Sequence, residues 1–222
     1  RVIHRTASGA IWLAGNEGVA RLEGDSVQLV GAPDEDPRFG EVRAFASDGE
    51  TVYAGGAGLH RFDGAWAHLS DLDEEGAPTL LTSLAVQGRR VYAATGDFGT
   101  LHVWEDGTWA DLGRGCLRVR PFRDGVVCSR SGAPAVFEPD GTYRELEIDP
   151  AASDFTNRSF LALAVAGDAL LMASTFGHIL VGDAESPLTS PLNRASDAPI
   201  TAVARSGVRT VAVTSTGAVL ER

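Results

Sequence analysis

One pattern recurs along this chain about every forty residues, and it constrains the fold more than any other feature. The first copy is Ser8-Gly9-Ala10-Ile11-Trp12-Leu13-Ala14-Gly15, followed by Gly18-Val19-Ala20-Arg21-Leu22-Glu23-Gly24. The second is Asp48-Gly49-Glu50-Thr51-Val52-Tyr53-Ala54-Gly55, followed by Gly58-Leu59-His60-Arg61-Phe62-Asp63-Gly64. Anchor positions fall at Trp12, Val52, Val91, Val126, Leu171 and Val211, separated by 40, 39, 35, 45 and 40 residues. Short strands repeating at this period predict an all-β, six-bladed β-propeller of four-stranded antiparallel blades.

Each unit reads as an inner strand of small apolar residues, a tight turn, the anchor strand, a third strand opened by glycine, and an outer strand. The inner strands are expected at 42–46, 83–86, 161–165 and 200–204. The blades are expected at roughly 1–31, 41–72, 82–113, 115–148, 160–190 and 199–222 of one domain, the last with three strands. No helix is evident. The sharpest local signal is the last hairpin: Asp63-Gly64-Ala65-Trp66, Asp106-Gly107-Thr108-Trp109 and Asp140-Gly141-Thr142-Tyr143. Asp-Gly suits the positive-φ positions of a two-residue turn. The aromatic that follows opens the outer strand, where its ring packs across the strand or onto the next blade. Trp66, Trp109 and Tyr143 are therefore expected to be structural.

The first two units resemble the propeller repeat of bacterial two-component regulators and ligand-binding sensor domains. The matching residues are Gly9, Ile11, Trp12, Gly18, Val19, Arg21 and Leu22, then Gly49, Val52, Tyr53, Gly55, Gly58, Leu59, Arg61, Phe62, Asp63, Gly64 and Trp66. The likeness covers repeats one to three, and four to six only by strand pattern. It implies a propeller that recognises something, placed outside the membrane ahead of a transmembrane helix and a kinase. Fold likeness does not itself carry an activity.

Charge and composition narrow the functions. With 19 basic and 30 acidic residues the formal net charge is −11, which repels phosphate backbones and disfavours nucleic acid. No stretch approaches the roughly 20 apolar residues that span a bilayer. The chain begins at Arg1 with no signal-peptide pattern, so a trimmed or processed domain is expected, fused to or covered by others, with cytoplasm and periplasm both open. No nucleophile elbow or phosphate-cradling loop is present, so the chain is expected to be a non-catalytic recognition domain. Its partner is a protein or, in the second reading, a small molecule; a propeller lyase or glycoside-acting enzyme is the remaining alternative. No cofactor and no metal are expected. Cys116 and Cys128 have the same parity on one hairpin, and they read either as two buried apolar side chains or as a bridge.

Long connectors on one face of a repeat fold are common binding elements. An acidic rim is expected from Asp34, Glu35, Asp36, Asp71, Asp73, Glu74 and Glu75. A mixed aromatic and polar site at the same face would draw on Asn16, Glu17, Arg38, Asp97, Phe98, Arg130, Arg158, Phe176 and His178. Phe39 and Phe160 stand beside it in sequence. His60 and His102 hold one place in successive repeats and read as scaffold, while His4 and His68 look isolated.

Overall fold

The computed structural model describes residues 2–71, 80–95, 99–130, 132–149, 160–192, 195–206 and 209–221. Its strands form six antiparallel meanders. Blade 1 comprises β1 (Val2–Arg5), β2 (Ile11–Gly15), β3 (Gly18–Glu23) and β4 (Ser26–Gly31), and blade 2 comprises β5 (Ala44–Asp48), β6 (Thr51–Gly55), β7 (Gly58–Phe62) and β8 (Trp66–Asp71). Blade 3 is β9 (Leu81–Gln87), β10 (Arg90–Thr95), β11 (Thr100–Glu105) and β12 (Thr108–Gly115), and blade 4 is β13 (Arg118–Phe122), β14 (Gly125–Ser129), β15 (Ala135–Phe137) and β16 (Tyr143–Glu145). Blade 5 is β17 (Phe160–Ala166), β18 (Ala169–Ser174), β19 (Ile179–Gly182) and β20 (Thr189–Leu192). Blade 6 has three strands, β21 (Ile200–Ser206), β22 (Arg209–Thr214) and β23 (Val219–Glu221). This is the six-bladed β-propeller class with a three-stranded last blade, as the repeat predicts.

The chain falls into two compact units, Arg1–Arg114 and Gly115–Arg222. In the first, alternate residues of each strand point into two interblade cores. One gathers Trp12, Ala14, Val19, Phe45, Val52 and Ala54 between blades 1 and 2. The other gathers Ala44, Ala46, Leu59, Leu81, Leu84 and Val91 between blades 2 and 3. The period-two alternation of these strands is what divides their side chains between the two seams.

Of the three Asp-Gly hairpins, Asp106-Gly107 forms the predicted two-residue turn, with φ of 50° and 90°. Gly64 and Gly141 also have positive φ, 77° and 86°, but their loops are longer, because Phe62 pairs with Trp66 and Phe137 with Tyr143. The tryptophans that follow these hairpins tie neighbouring blades together. The Trp66 indole N–H donates to the Val30 carbonyl at 2.7 Å, and that of Trp109 to the Ser70 hydroxyl at 2.8 Å. In each case the outer strand of one blade is bonded to the outer strand of the blade before it. Tyr143 instead stacks on Phe137 of its own blade, ring centroids 5.7 Å apart.

In the second unit one core lies between blades 4 and 5, around Phe122, Val136, Phe160, Leu170, Met172 and Leu180. A parallel bridge between Ile148 and Leu188 adds a backbone link between the same two blades. A smaller core joins blades 5 and 6 through Ala173, Ile179, Ile200 and Ala212. Cys116 and Cys128 form a disulfide with Cα atoms 5.4 Å apart. Cys116 lies just ahead of β13 rather than within the hairpin, and Val119 is the residue opposite Cys128. Of the two readings left open by sequence, the bridge is the one realised.

One difference from the sequence reading shapes the site. The connector from blade 1 to blade 2 contains a short 3-10 helix, Pro37–Glu41, where no helix was expected. Asp36 caps it by accepting the Arg38 backbone N–H, and Pro37 opens the first turn, where its missing N–H costs nothing. The turn buries Phe39 between the rings of His60 and Trp66, at 4.9 and 5.1 Å.

Candidate functional site

The same capped turn carries Asp36 and Arg38 onto blade 2. There His60 of β7 and His68 of β8 are directly opposite each other across the strand pair, ring centroids 4.8 Å apart. His60 Nε2 is 3.0 Å from Asp36 Oδ2. The Arg38 guanidinium donates through Nε to Asp36 Oδ1 at 2.9 Å and Oδ2 at 3.2 Å, and lies through Nη1 3.0 Å from His68 Nε2. Close approach is permitted because Gly58 stands beneath. A Cβ there would meet Arg38 Cδ at 3.0 Å and His60 Cε1 at 3.2 Å.

The protonation states follow from these partners. Burial raises the Asp36 carboxyl, but hydrogen bonds from the Arg38 side chain and backbone and from His60 outweigh it, leaving the group well below the usual carboxylate range. Asp36 is therefore ionised, and His60 Nε2 must be the donor. Burial lowers His60 against the opposing pull of Asp36, so its imidazole is neutral. Guanidinium only donates, so His68 Nε2 is an acceptor. His60 is 2% exposed, and its Nδ1 has no partner. Among the described residues, Asp36, His60 and His68 form a group whose donor atoms all lie within 4.8 Å of one another.

Of the acidic rim, Asp34 and Glu35 are exposed, whereas Asp36 turns inward to this cluster. Asp71 ends β8, and Asp73, Glu74 and Glu75 lie outside the described residues. Asn16 and Glu17 are exposed in the β2–β3 turn, and the Asn16 carbonyl oxygen is 3.4 Å from where a Cβ on Gly40 would sit. Among the described residues of the mixed site, Arg38 is the one that the structure brings into the cluster. In the second unit Arg130 pairs with Glu145 at 3.0 Å, Phe176 is exposed, and His178 is buried in the β18–β19 turn. Asp97, Phe98 and Arg158 lie outside the described residues. Phe39 and Phe160 are core side chains rather than exposed rings. His4 and His68, read as isolated, both have partners: His4 Nε2 is 2.9 Å from the Ser47 hydroxyl, and His68 faces His60 and Arg38.

A second feature lies on the opposite side of blade 1. Val2, His4, Trp12 and Ala14 face blade 2, so the intervening residues face away. One cross-strand row on that face is Ile3, Leu13, Ala20 and Leu29; the next is Arg5, Ile11, Leu22 and Val27. Seven of these eight residues are apolar. Ile3, Val27 and Leu29 are 74%, 61% and 54% exposed. Covering the exposed parts of these three side chains is worth roughly 3 to 6 kcal/mol.

No protein-family model matches the chain, and no curated protein sequence matches it. Solved structures do. The extracellular domain of a putative one-component system, BT4673, from B. thetaiotaomicron is similar with a TM-score of 0.74 and 13% identity, over 99% of this chain and 32% of that one. The RRP9 WD40 repeats are similar with a TM-score of 0.75 and 13% identity, over 99% of this chain and 74% of that one. A catalytically inactive virginiamycin B lyase from Staphylococcus aureus gives a TM-score of 0.73 and 11% identity, over 99% and 78%. The chain thus spans about a third of the BT4673 domain. At these identities the likeness establishes the propeller fold, which the extracellular domain of a putative one-component system, a WD40 protein and a lyase all share.

Proposed function

We propose that this chain is a non-catalytic recognition domain of a larger bacterial protein, and that a protein partner covers the outer face of blade 1. The observation that carries the proposal is the pair of apolar rows from Ile3 to Leu29 and from Ile11 to Val27. An apolar face that extends over four strands is a place for another protein surface rather than for water. Its shape is that of one side of a blade, so the fitting partner presents a β-sheet face. The test places a photoreactive phenylalanine at Leu29, with a control at the exposed Glu50, in the full-length protein inside the cells that make it. A discrete adduct to a second protein from position 29, absent from position 50, is expected. No adduct, or one formed within a single chain, overturns the proposal.

A second reading, a small-ligand sensor, is supported by the likeness to the BT4673 extracellular domain and by the polar cluster at Asp36. It would be preferred if one compound in a thermal-shift screen of amino acids, sugars and nucleotides raised Tm, since binding to the native state alone stabilises it. The Cys116–Cys128 bridge fits an oxidising compartment, because such bonds are rare where glutathione keeps thiols reduced. Among the described residues no helix is long and apolar enough to cross a membrane. Thiol labelling of the protein taken directly from cells checks the compartment: unlabelled cysteines support it, and two labelled ones refute it.

A further inference from the structure

We propose that Asp36, His60 and His68 bind a divalent transition-metal ion of the zinc class, with a coordination position left open to solvent. Two imidazoles and one carboxylate are a donor set suited to such an ion. The three groups come from different elements, the capped turn, β7 and β8, yet their donor atoms all lie within 4.8 Å of one another. His60 Nε2 and Asp36 Oδ2 are already 3.0 Å apart. Ligands about 2.0 to 2.1 Å from a tetrahedral zinc stand about 3.4 Å from each other, so the remaining closure is a modest movement of the exposed His68 side chain.

The cluster is already arranged around positive charge. The Arg38 guanidinium already sits against Asp36 and His68, and both present acceptors to it. The groups thus converge on positive charge. A metal ion would take the place of the Arg38 Nη1 contact at His68, while Arg38 Nε can keep its bond to Asp36 Oδ1.

His60 is the rigid member. Its ring is clamped by Phe39 and stands edge-on to Trp66, and its neutral form is the one that coordinates metal. Coordination through Nε2 requires its proton to move to Nδ1, and it exchanges the hydrogen bond to Asp36 Oδ2 for the bond to the metal. Nδ1 has no partner, so the change of tautomer breaks no bond there. The site is not legible in the sequence, because ligands at positions 36, 60 and 68 follow no compact metal-binding spacing.

The test is calorimetric titration of the tag-free, oxidised chain with Zn²⁺, and separately with Mg²⁺. The described residues contain no free cysteine to compete. One Zn²⁺ per chain with micromolar or tighter Kd is expected, with no heat from Mg²⁺. His68→Ala, at an exposed position that leaves the core intact, weakens Zn²⁺ binding at least tenfold. Arg38→Ala removes the competing cation and tightens it severalfold, while His4→Gln in the seam beside Ser47 leaves it unchanged. Substituting Co²⁺ gives visible absorption bands of a tetrahedral site in the wild-type chain, and these vanish in His68→Ala. Failure of Zn²⁺ to saturate at one per chain, insensitivity to His68→Ala, or weaker binding in Arg38→Ala overturns the proposal. The photocrosslinking result at Leu29 does not bear on any of these outcomes.

Discussion

Trp66 is where the seam between blades 1 and 2 is most open to measurement. Its ring lies within 6 Å of Trp12, Phe39 and Phe62, and its N–H reaches across to the Val30 carbonyl. Trp66→Phe keeps most of the ring packing and removes the hydrogen bond, leaving a partly covered carbonyl without its donor; the cost is about 1 to 2 kcal/mol. Trp66→Ala also removes the ring from beside these three aromatics, and because the site is only partly buried the loss falls at the low end of the usual 3–5 kcal/mol, about 3. For a chain of this length each kcal/mol moves Tm by about 2 to 4 °C. The expected shifts are therefore about 2 to 8 °C for Trp66→Phe and about 6 to 12 °C for Trp66→Ala. Far-UV circular dichroism on heating reads both without relying on the fluorophore being removed. A cycle of Trp109→Phe and Ser70→Ala isolates the equivalent bond of the next seam, with a coupling of about 1 kcal/mol. If Trp66→Phe is as stable as wild type and the cycle shows no coupling, then the tryptophans fill space and do not join blades.

Four further outcomes follow from particular residues. Replacing both Cys116 and Cys128 by Ala removes a bridge spanning 12 residues and lowers stability by about 3 kcal/mol in denaturant titrations, provided the wild type is kept oxidised. Stability of the first unit falls with acid. Asp36 and His60 are both held below their unfolded values, so each contributes stability that is present above its unfolded value and lost as pH falls. The loss begins below about 6.5 for His60 and deepens below about 4 for Asp36, and Asp36→Asn flattens the lower part of the profile in pH-dependent melting curves. Gly56→Ala places a Cβ against the Glu41 carbonyl oxygen and destabilises the chain by more than about 2 kcal/mol in urea titration, whereas Gly49→Ala, which has open space around it, is penalised only for its φ of 57°. Val27→Thr on the outer face of blade 1 changes the stability of the isolated chain by less than about 0.5 kcal/mol, because the side chain it replaces is already in water.

The blades were legible because their signals are local. A two-residue Asp-Gly turn, a glycine opening a strand and alternating small apolar residues each act within a few residues, and repetition makes them mutually confirming. That logic also identified Trp66 and Trp109 as structural, and the structure adds the bonds they make. The polar cluster was illegible for the opposite reason. Asp36 read as one charge in an acidic run, and nothing in that run shows that it caps a turn and points inward. His60 reads as scaffold because His102 shares its place, yet the two sites differ through what the connector brings, and a connector is where repeats are free to differ. His68 sits eight residues from His60, a spacing that means nothing until the turn at Asp63-Gly64 folds the two strands into register. Phe39 and Phe160 show the same limit: aromatic residues beside a predicted loop can serve the core as readily as a ligand.

The tryptophan bonds across the seams also set an order in time. Val30 waits 36 residues for Trp66, and Ser70 waits 39 for Trp109. On a ribosome adding about 5 to 20 residues per second, each blade leaves the tunnel roughly 2 to 8 seconds before the residue that latches it. While blades 1 to 3 emerge, the nascent chain therefore carries one unlatched blade at its growing end, and a pause in translation between Phe62 and Trp66 would hold blade 1 open for as long as it lasts.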